Sequence, residues 1–266
     1  MRFTKGLART ALLLCAAASV VLRADVAAAQ DVRIAAASDL QAALPAIAAR
    51  FERETGRAVS LSFGSSGNFF SQIQNGAPFD VFLSADIDYP KRLESAGLAE
   101  PGTLYQYATG ALVLWARRES GVDVRRGLDA LTSDRVRRVA IANPEHAPYG
   151  RAAVEALRAA HLYDRVRAKF VLGENVSQAA QFVQSGNAEA GLIPLALARS
   201  AALQASGQYS TVPPSLYPPI DQAAIILRSS RKKDVARAFI EYLKRPDIIT
   251  ALADAGFGPP RAASAR

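Results

Sequence analysis

The stretch Val32-Arg33-Ile34-Ala35-Ala36-Ala37-Ser38-Asp39-Leu40 decides the fold, because it joins a strand pattern to a helix pattern. Residues 32–37 form a short apolar run of strand type. From Leu40 onward, apolar residues recur at helical spacing as far as Gly56. The stretch therefore predicts a β-strand followed directly by a helix.

The same strand and helix unit recurs along the chain. The further predicted pairs are 59–63 with 68–75, 79–83 with 88–96, 139–142 with 151–161 and 169–172 with 176–185, followed by a strand at 190–193. Such alternation is typical of α/β proteins, in which mostly parallel sheets carry helices on both faces.

Two stretches are predicted to cross between lobes. Residues 102–109 follow three completed units, and residues 212–219 contain too many prolines for a helix or a central strand. After the second crossing, the pattern predicts a strand over 222–227 and helices over 232–244 and 247–255.

The predicted architecture is a two-lobed α/β fold with a ligand cleft between the lobes. Residues 30–107 together with 218–266 form lobe 1, and residues 108–217 form lobe 2. Ligands of open α/β sheets bind outside the carboxyl ends of the strands, which places the expected site in the cleft.

Residues 1–29 have the pattern of a secretory signal peptide. A basic start precedes an apolar run over 11–22, which is shorter than the ~20 residues that a membrane-spanning helix needs, and small residues precede Gln30. Leu14 before Cys15 does not fit a lipoprotein. We therefore expect a soluble exported protein whose mature chain has no cysteine, which excludes disulfides and Cys-based metal centres.

The composition is that of a globular protein with a mild basic excess. Hydrophobic residues make up 50% of the 266 residues and charged residues 21%. The leader holds four basic residues and one acidic residue, so the net charge falls from +8 to +5 without it. The basic doublets lack interleaved aromatic residues, so we expect no nucleic-acid partner, and a positive field favours small anions.

Hydroxyl and amide residues stand where predicted strands give way to helices. Ser38 with Gln41 three residues later has the pattern of a capping box, Ser65-Ser66-Gly67 precedes the second helix, and Asn175 precedes a later helix with Gln178 three residues on. Free N–H groups at helix starts carry partial positive charge, so together they could bind an oxyanion. Ordinary N-capping is the alternative interpretation.

Catalytic patterns are sparse. The two histidines, His146 and His161, have no spaced carboxylates for a metal site, and no Gly-x-Ser-x-Gly elbow presents a serine. Residues 64–67 lack the Gly-Lys-Ser/Thr that a phosphate loop requires. We expect no catalytic residue, no bare metal ion and no cofactor; a secreted hydrolase that uses His146 is the remote alternative.

Four motifs together resemble the periplasmic molybdate-binding proteins of ABC importers, which are type II periplasmic binding proteins. The resemblance runs in order over the whole chain after the leader. The motifs are Ala35-Ala36-Ala37-Ser38-Asp39-Leu40, Gly64-Ser65-Ser66-Gly67, Gly76-Ala77-Pro78-Phe79-Asp80-Val81-Phe82-Leu83-Ser84-Ala85-Asp86 and Asn143-Pro144-Glu145-His146-Ala147-Pro148-Tyr149-Gly150.

The resemblance implies a non-enzymatic, monomeric binding protein that closes on a dehydrated anion without a salt bridge. Molybdate or tungstate would be captured between the lobes and delivered to the membrane permease of an ABC importer. The alternative within this class is another tetrahedral oxyanion, such as sulfate or phosphate.

Residue by residue, the resemblance implies that the hydroxyls of Ser38 and Ser66 and the backbone N–H groups of Tyr149 and Val176 hold the anion. Some members add a tyrosine hydroxyl where this chain has Pro194. That contact must be absent here or replaced, and Tyr149 is the candidate replacement.

Asp39 follows the first predicted anion-binding serine and needs its own explanation. Ionised and about 4 Å from a dianion, its carboxylate would cost about 8 kcal/mol at an effective dielectric near 20. Either the side chain turns away at the start of its own helix while its backbone N–H serves the site, or it accepts a proton from a protonated anion such as hydrogen phosphate. We expect the first arrangement, because the Ser38 to Gln41 pattern defines a helix start there.

Overall fold

The computed structural model describes residues 31–261, so the predicted leader lies outside the described residues. None of the helices within this range has the length and hydrophobicity that a membrane span requires.

Within residues 31–261, ten strands form two five-stranded sheets. The strands are β1 (Val32–Ala37), β2 (Val59–Gly64), β3 (Val81–Ser84), β4 (Tyr105–Gly110), β5 (Leu112–Arg117), β6 (Val139–Ala142), β7 (Phe170–Gly173), β8 (Ala190–Pro194), β9 (Gly207–Thr211) and β10 (Ile220–Ile226).

Ten α-helices and five 3-10 helical segments, one of them kinked at Gly127, accompany the strands in this part of the chain. The α-helices are α1 (Leu44–Thr55), α2 (Ser66–Gln74), α3 (Asp88–Ser95), α4 (Pro148–Ala159), α5 (Tyr163–Val166), α6 (Val176–Gln184), α7 (Leu195–Ala198), α8 (Ala201–Ser206), α9 (Lys233–Leu243) and α10 (Pro246–Asp254). The 3-10 helices are Ser38–Ala42, Arg118–Ser120, Val124–Thr132, Arg167–Lys169 and Pro214–Leu216.

The two sheets share one topology. The strand order is β2-β1-β3-β10-β4 in the first sheet and β7-β6-β8-β5-β9 in the second. In each sheet only the fourth strand, β10 or β5, runs antiparallel to both neighbours, so the other four strands share one direction. The prediction of a two-lobed α/β fold with mostly parallel sheets is confirmed.

Helices cover both faces of the first sheet, as its alternating side chains require. Ile34 and Val81 belong to a core that contains Phe51 of α1 and Phe239 of α9. Phe82, the next residue of β3, belongs to a separate core on the α2 and α3 side. Burial on both faces explains why the central strands are continuous apolar runs.

The structure departs from the predicted elements near the crossings. The sequence interpretation did not include β5 and β9. The first crossing, 102–109, contains β4, which continues to Gly110, and the second, 212–219, contains a 3-10 helix. The proposed lobe boundaries at 107/108 and 217/218 stay a prediction.

Candidate functional site

A small cavity lies between the two lobes, at the carboxyl ends of their parallel strands. Its free volume of about 10 Å³ is enough for roughly one water molecule. The lining residues are Ala37, Ser38, Asp39, Gly64, Ser65, Ser66, Ala85, Ala147, Pro148, Tyr149 and Val176. The structure therefore brings together all five predicted site residues.

Ser38 presents a free hydroxyl because it does not cap a helix. It is the first residue of the 3-10 helix Ser38–Ala42, whose start makes no side-chain capping bond, and α1 begins only at Leu44. The predicted capping box of Ser38 with Gln41 is therefore wrong. The Gln41 Oε1 atom instead accepts a hydrogen bond of 2.5 Å from Ser177 Oγ of α6.

Ser66 is oriented by a hydrogen bond from the N–H of Ala85, the residue that follows β3. It is the first residue of α2, and Ser65 caps this helix by accepting from the Asn68 N–H at 3.3 Å. The Ser66 Oγ atom accepts from the buried Ala85 N–H at 2.9 Å. This bond uses an acceptor position, so the hydroxyl hydrogen of Ser66 remains available for a ligand.

Two helix starts from the second lobe face the cavity. Pro148 begins α4 and has no N–H, so the first donor of that helix is the N–H of Tyr149. At the start of α6, Asn175 Oδ1 accepts from the N–H groups of Ser177 and Gln178 at 3.0 and 3.1 Å. The predicted cap at Asn175 is confirmed, and it leaves the N–H of Val176 unused.

Asp39 turns its side chain into the protein. The residue is fully buried, and its Oδ2 atom accepts a 2.5 Å hydrogen bond from Gln222 Nε2. Within the described chain, its Oδ1 atom has no hydrogen-bond partner. Burial raises the pKa of Asp39 to about 6, although the hydrogen bond from Gln222 and, to a smaller extent, the nearby Tyr149 hydroxyl and the N–H groups of Asp39 and Leu40 lower it.

Gln222 links this carboxylate to both lobes. Its Nε2 atom also donates to the Tyr149 hydroxyl at 3.0 Å, and its Oε1 atom accepts from the Tyr107 hydroxyl at 2.8 Å. The Tyr149 hydroxyl is thus held beside Asp39. Pro194, which stands where some related proteins have an anion-binding tyrosine, is buried at the end of β8. Sequence reasoning missed Gln222 and Tyr107, which belong to no motif that points to a site.

Asp39→Asn is expected to stabilise the anion-free protein at alkaline pH. The pKa of Asp39 is about 6 in the folded protein and has its ordinary value of 3.8 in the unfolded chain. Ionisation of Asp39 therefore destabilises the folded state, with the full effect above pH 6 and none below pH 3.8. Two pKa units correspond to about 3 kcal/mol. Urea unfolding should show the variant up to that much more stable at pH 8, with roughly half the gain at pH 5.

The control for this stability measurement is Asp129→Asn, which removes one exposed carboxylate that does not line the cavity. It should change the free energy of unfolding little at either pH. An Asp39→Asn variant that is less stable than wild type at pH 8 would show that the carboxylate is needed in its charged form.

Closure of the lobes rests on polar contacts at the rim of the cavity. The Gly67 N–H donates to the His146 carbonyl at 2.8 Å, Asn68 Nδ2 donates to Glu174 Oε1 at 3.1 Å, and Ser177 Oγ donates to the Ser38 carbonyl at 3.1 Å. At the same rim, Arg151 of α4 donates hydrogen bonds to the Asp86 carboxylate and to the Tyr89 hydroxyl of the other lobe.

His146 contributes its carbonyl rather than its imidazole to this arrangement. The side chain is 39% exposed, lies 3.8 Å from Glu145 Oε2 and does not line the cavity. His146→Gln should therefore change anion affinity by less than about tenfold, roughly 1.4 kcal/mol, and leave its pH profile as in wild type. Calorimetric titration at pH 6, 7 and 8 checks this; a pH profile of the variant that differs from that of wild type would instead show that the imidazole contributes to binding.

A wider groove of about 540 Å³ lies beside the cavity, lined by residues that include Asp86, Arg151 and Tyr163. Among its charged groups, Arg151 is paired with Asp86 and Arg158 with Glu155, and its lining residues present no convergent set of unused donors. Within residues 31–261, no three His, Cys, Asp or Glu residues cluster as a metal-ion site would need. The small cavity is the better candidate because helix N-termini and hydroxyls converge there.

Two α/β lobes that close over a small, donor-lined cavity define a solute-binding protein. Residues 32–258 match the family model described as bacterial extracellular solute-binding protein, and the chain belongs to this family. Its relatives are binding proteins, so the alternative of a secreted hydrolase that uses His146 is wrong.

The more specific similarity is to molybdate-binding proteins. The chain is 40% identical over 237 residues to the molybdate-binding protein ModA of Azotobacter vinelandii, covering 89% of this chain and 93% of that one. ModA of Rhodobacter capsulatus is 38% identical, over 87% of this chain and 89% of its own. The solved periplasmic molybdate-binding protein of Azotobacter vinelandii superposes with a TM-score of 0.82 at 36% identity, covering 87% of this chain and all of that chain.

Proposed function

We propose that this protein captures molybdate, or tungstate in the same site, and delivers it to the permease of an ABC importer. The observation that carries the proposal is the convergence of four unused donors from both lobes on one small cavity. A tetrahedral oxyanion presents one oxygen to each such donor. The similarity to ModA proteins supports molybdate as the particular anion.

In the proposed complex, the hydroxyls of Ser38 and Ser66 and the N–H groups of Tyr149 and Val176 donate to the anion oxygens. The contacts are made to oxygen atoms and not to the metal. No Lys or Arg is among the residues that line the cavity in the described chain. The dipoles of α2, α4 and α6 and the hydrogen bonds themselves would then stabilise the negative charge.

The cellular setting follows from the same proposal. A signal peptide over residues 1–29 would export the chain to the periplasm, where the protein would act as a monomer with lobe 1 formed by 30–107 and 218–266 and lobe 2 by 108–217. Family membership supports an extracytoplasmic location. The membrane permease would then be the partner of the loaded, closed form.

Calorimetric titration of the purified protein with molybdate, tungstate, sulfate and phosphate tests the proposal. We expect one anion per protein and a much smaller Kd for molybdate and tungstate than for the other two. Sulfate or phosphate as the tightest ligand would overturn the proposed anion, and the absence of stoichiometric binding to any of the four would overturn the proposed site.

A further inference from the structure

The Asp39 carboxylate is the one group of the cavity lining whose charge opposes an anion. The residue lines the cavity and is completely buried. Its Oδ2 atom is bonded to the neutral amide of Gln222, and its Oδ1 atom has no partner among residues 31–261. A buried, partly unpaired carboxylate is strongly disfavoured as an ion.

Among the described residues, none that faces Asp39 supplies a positive charge. The titratable groups that face it are the hydroxyls of Tyr107 on β4 and Tyr149 on α4, and burial together with the Asp39 charge raises the pKa of each well above 10. The helices α6 and α7 and the strand β2, which pack against the 3-10 helix that carries Asp39, have no charged residue.

The charged residues of the other neighbouring elements pair elsewhere or point to solvent. Arg33 of β1 is exposed. The remaining pairs, which involve α1, α4 and β10, are Arg50 with Glu54 and Asp247, Arg151 with Asp86, Arg158 with Glu155, and Asp221 with Arg261. The exposed Glu52 and Arg53 lie near the carboxyl end of α1. Asp39 therefore has no counter-ion when an anion arrives.

A dianion beside this carboxylate makes the charged form less favourable still. The pKa of Asp39 is about 6 before binding, and a neighbouring negative charge raises it further. Molybdate is fully deprotonated at neutral pH and brings no proton of its own. The proton that relieves the repulsion must then come from solvent.

We propose that the site binds an oxyanion dianion together with one proton, which is taken up from solvent by the Asp39 carboxylate. The carboxylate and the proton form the neutral acid, and no other bond is made or broken. The neutral acid no longer repels the bound anion. Asp39 thus makes anion affinity depend on pH, and this inference rests on the proposed function.

Proton uptake is measured directly by titrating molybdate into the protein in buffers of different ionisation enthalpy. At pH 8 we expect close to one proton taken up per anion bound. The Kd for molybdate should then rise about tenfold per pH unit between pH 8 and 9, as linkage requires for one proton. Hydrogen phosphate carries its own proton, so any phosphate binding at pH 8 should show little uptake.

Asp39→Asn should bind molybdate with no proton uptake, with a Kd that is flat from pH 7 to 9, and more tightly than wild type at pH 9. The control Asp129→Asn should keep the wild-type profile. Circular dichroism of each variant establishes that it is folded, and the wild-type proton count tests the inference even if Asp39→Asn does not fold.

The outcomes separate this inference from the proposed function. Tight molybdate binding by wild type without proton uptake, or uptake that persists in a folded Asp39→Asn variant, would overturn the role of Asp39 and leave the proposed function intact. Failure of wild type to bind molybdate at all would overturn the proposed function itself.

Discussion

Replacing both Ser38 and Ser66 by alanine is expected to weaken molybdate binding by at least a hundredfold. Each hydroxyl would donate a hydrogen bond to a buried charge, and such a bond contributes about 1.5–3 kcal/mol. The loss for the pair is therefore about 3–6 kcal/mol, if the two contributions add. Calorimetric titration with molybdate measures the Kd of each single variant and of the double variant.

The two single variants should differ in stability although both lose affinity. Ser66→Ala also removes the acceptor of the buried Ala85 N–H, so we expect it to lower the free energy of unfolding by about 1–3 kcal/mol. Ser38 makes no capping bond, so Ser38→Ala should unfold almost as wild type. Ser71→Ala, an exposed position on α2, is the matched control for both measurements. Wild-type affinity in the double variant would show that these serines do not bind the anion.

Gly67→Ala is expected to weaken binding by about 10- to 100-fold by preventing full closure of the lobes. A Cβ atom at this position would lie 2.6 Å from the His146 carbonyl oxygen and 2.7 Å from the Tyr89 hydroxyl. Overpacking of this kind costs about 1–3 kcal/mol, and separation of the lobes relieves it. Alanine is the better helix former by about 1 kcal/mol, so α2 itself should not be destabilised.

The matched control for Gly67→Ala is Gly258→Ala, where the nearest atom, the Thr109 carbonyl oxygen, is 3.4 Å from the added Cβ. That variant should bind molybdate as wild type does. Small-angle scattering should show Gly67→Ala more extended than the control in the presence of the anion. Unchanged affinity and dimensions in Gly67→Ala would mean that binding does not need the Gly67 to His146 contact.

Much of the fold could be predicted because its central strands are short apolar runs next to amphipathic helices. Residues 32–37, 139–142 and 190–193 all form strands, the last extended by one residue. The strands β5 and β9 were missed. Leu112–Arg117 is almost uniformly buried, and an apolar run of this length without a following helix pattern cannot be assigned from periodicity alone.

The site could be predicted only as far as its local motifs reached. Helix starts after strands are visible in sequence, and the cap at Asn175 has the predicted form. The buried network at Asp39 was not visible, because Gln222 is 183 residues away and is delivered by sheet topology rather than by spacing. The Ser38 to Gln41 box failed for a similar reason, since Gln41 is bonded across the cleft to Ser177.

The reversed strands β5 and β10 have a mechanical consequence. The chain passes from the first sheet to the second at β5, through the single residue Ala111. It returns to the first sheet at β10, through the segment between Thr211 and Ile220. Ala111 is itself held through its carbonyl by the Leu195 N–H at 2.8 Å. These two connections act as covalent tethers, and because one of them is a single residue long, they leave the lobes little freedom to translate relative to each other. We therefore expect the lobes to rotate about the line joining the tethers, with the mouth of the cleft opening widest at the rim farthest from this hinge.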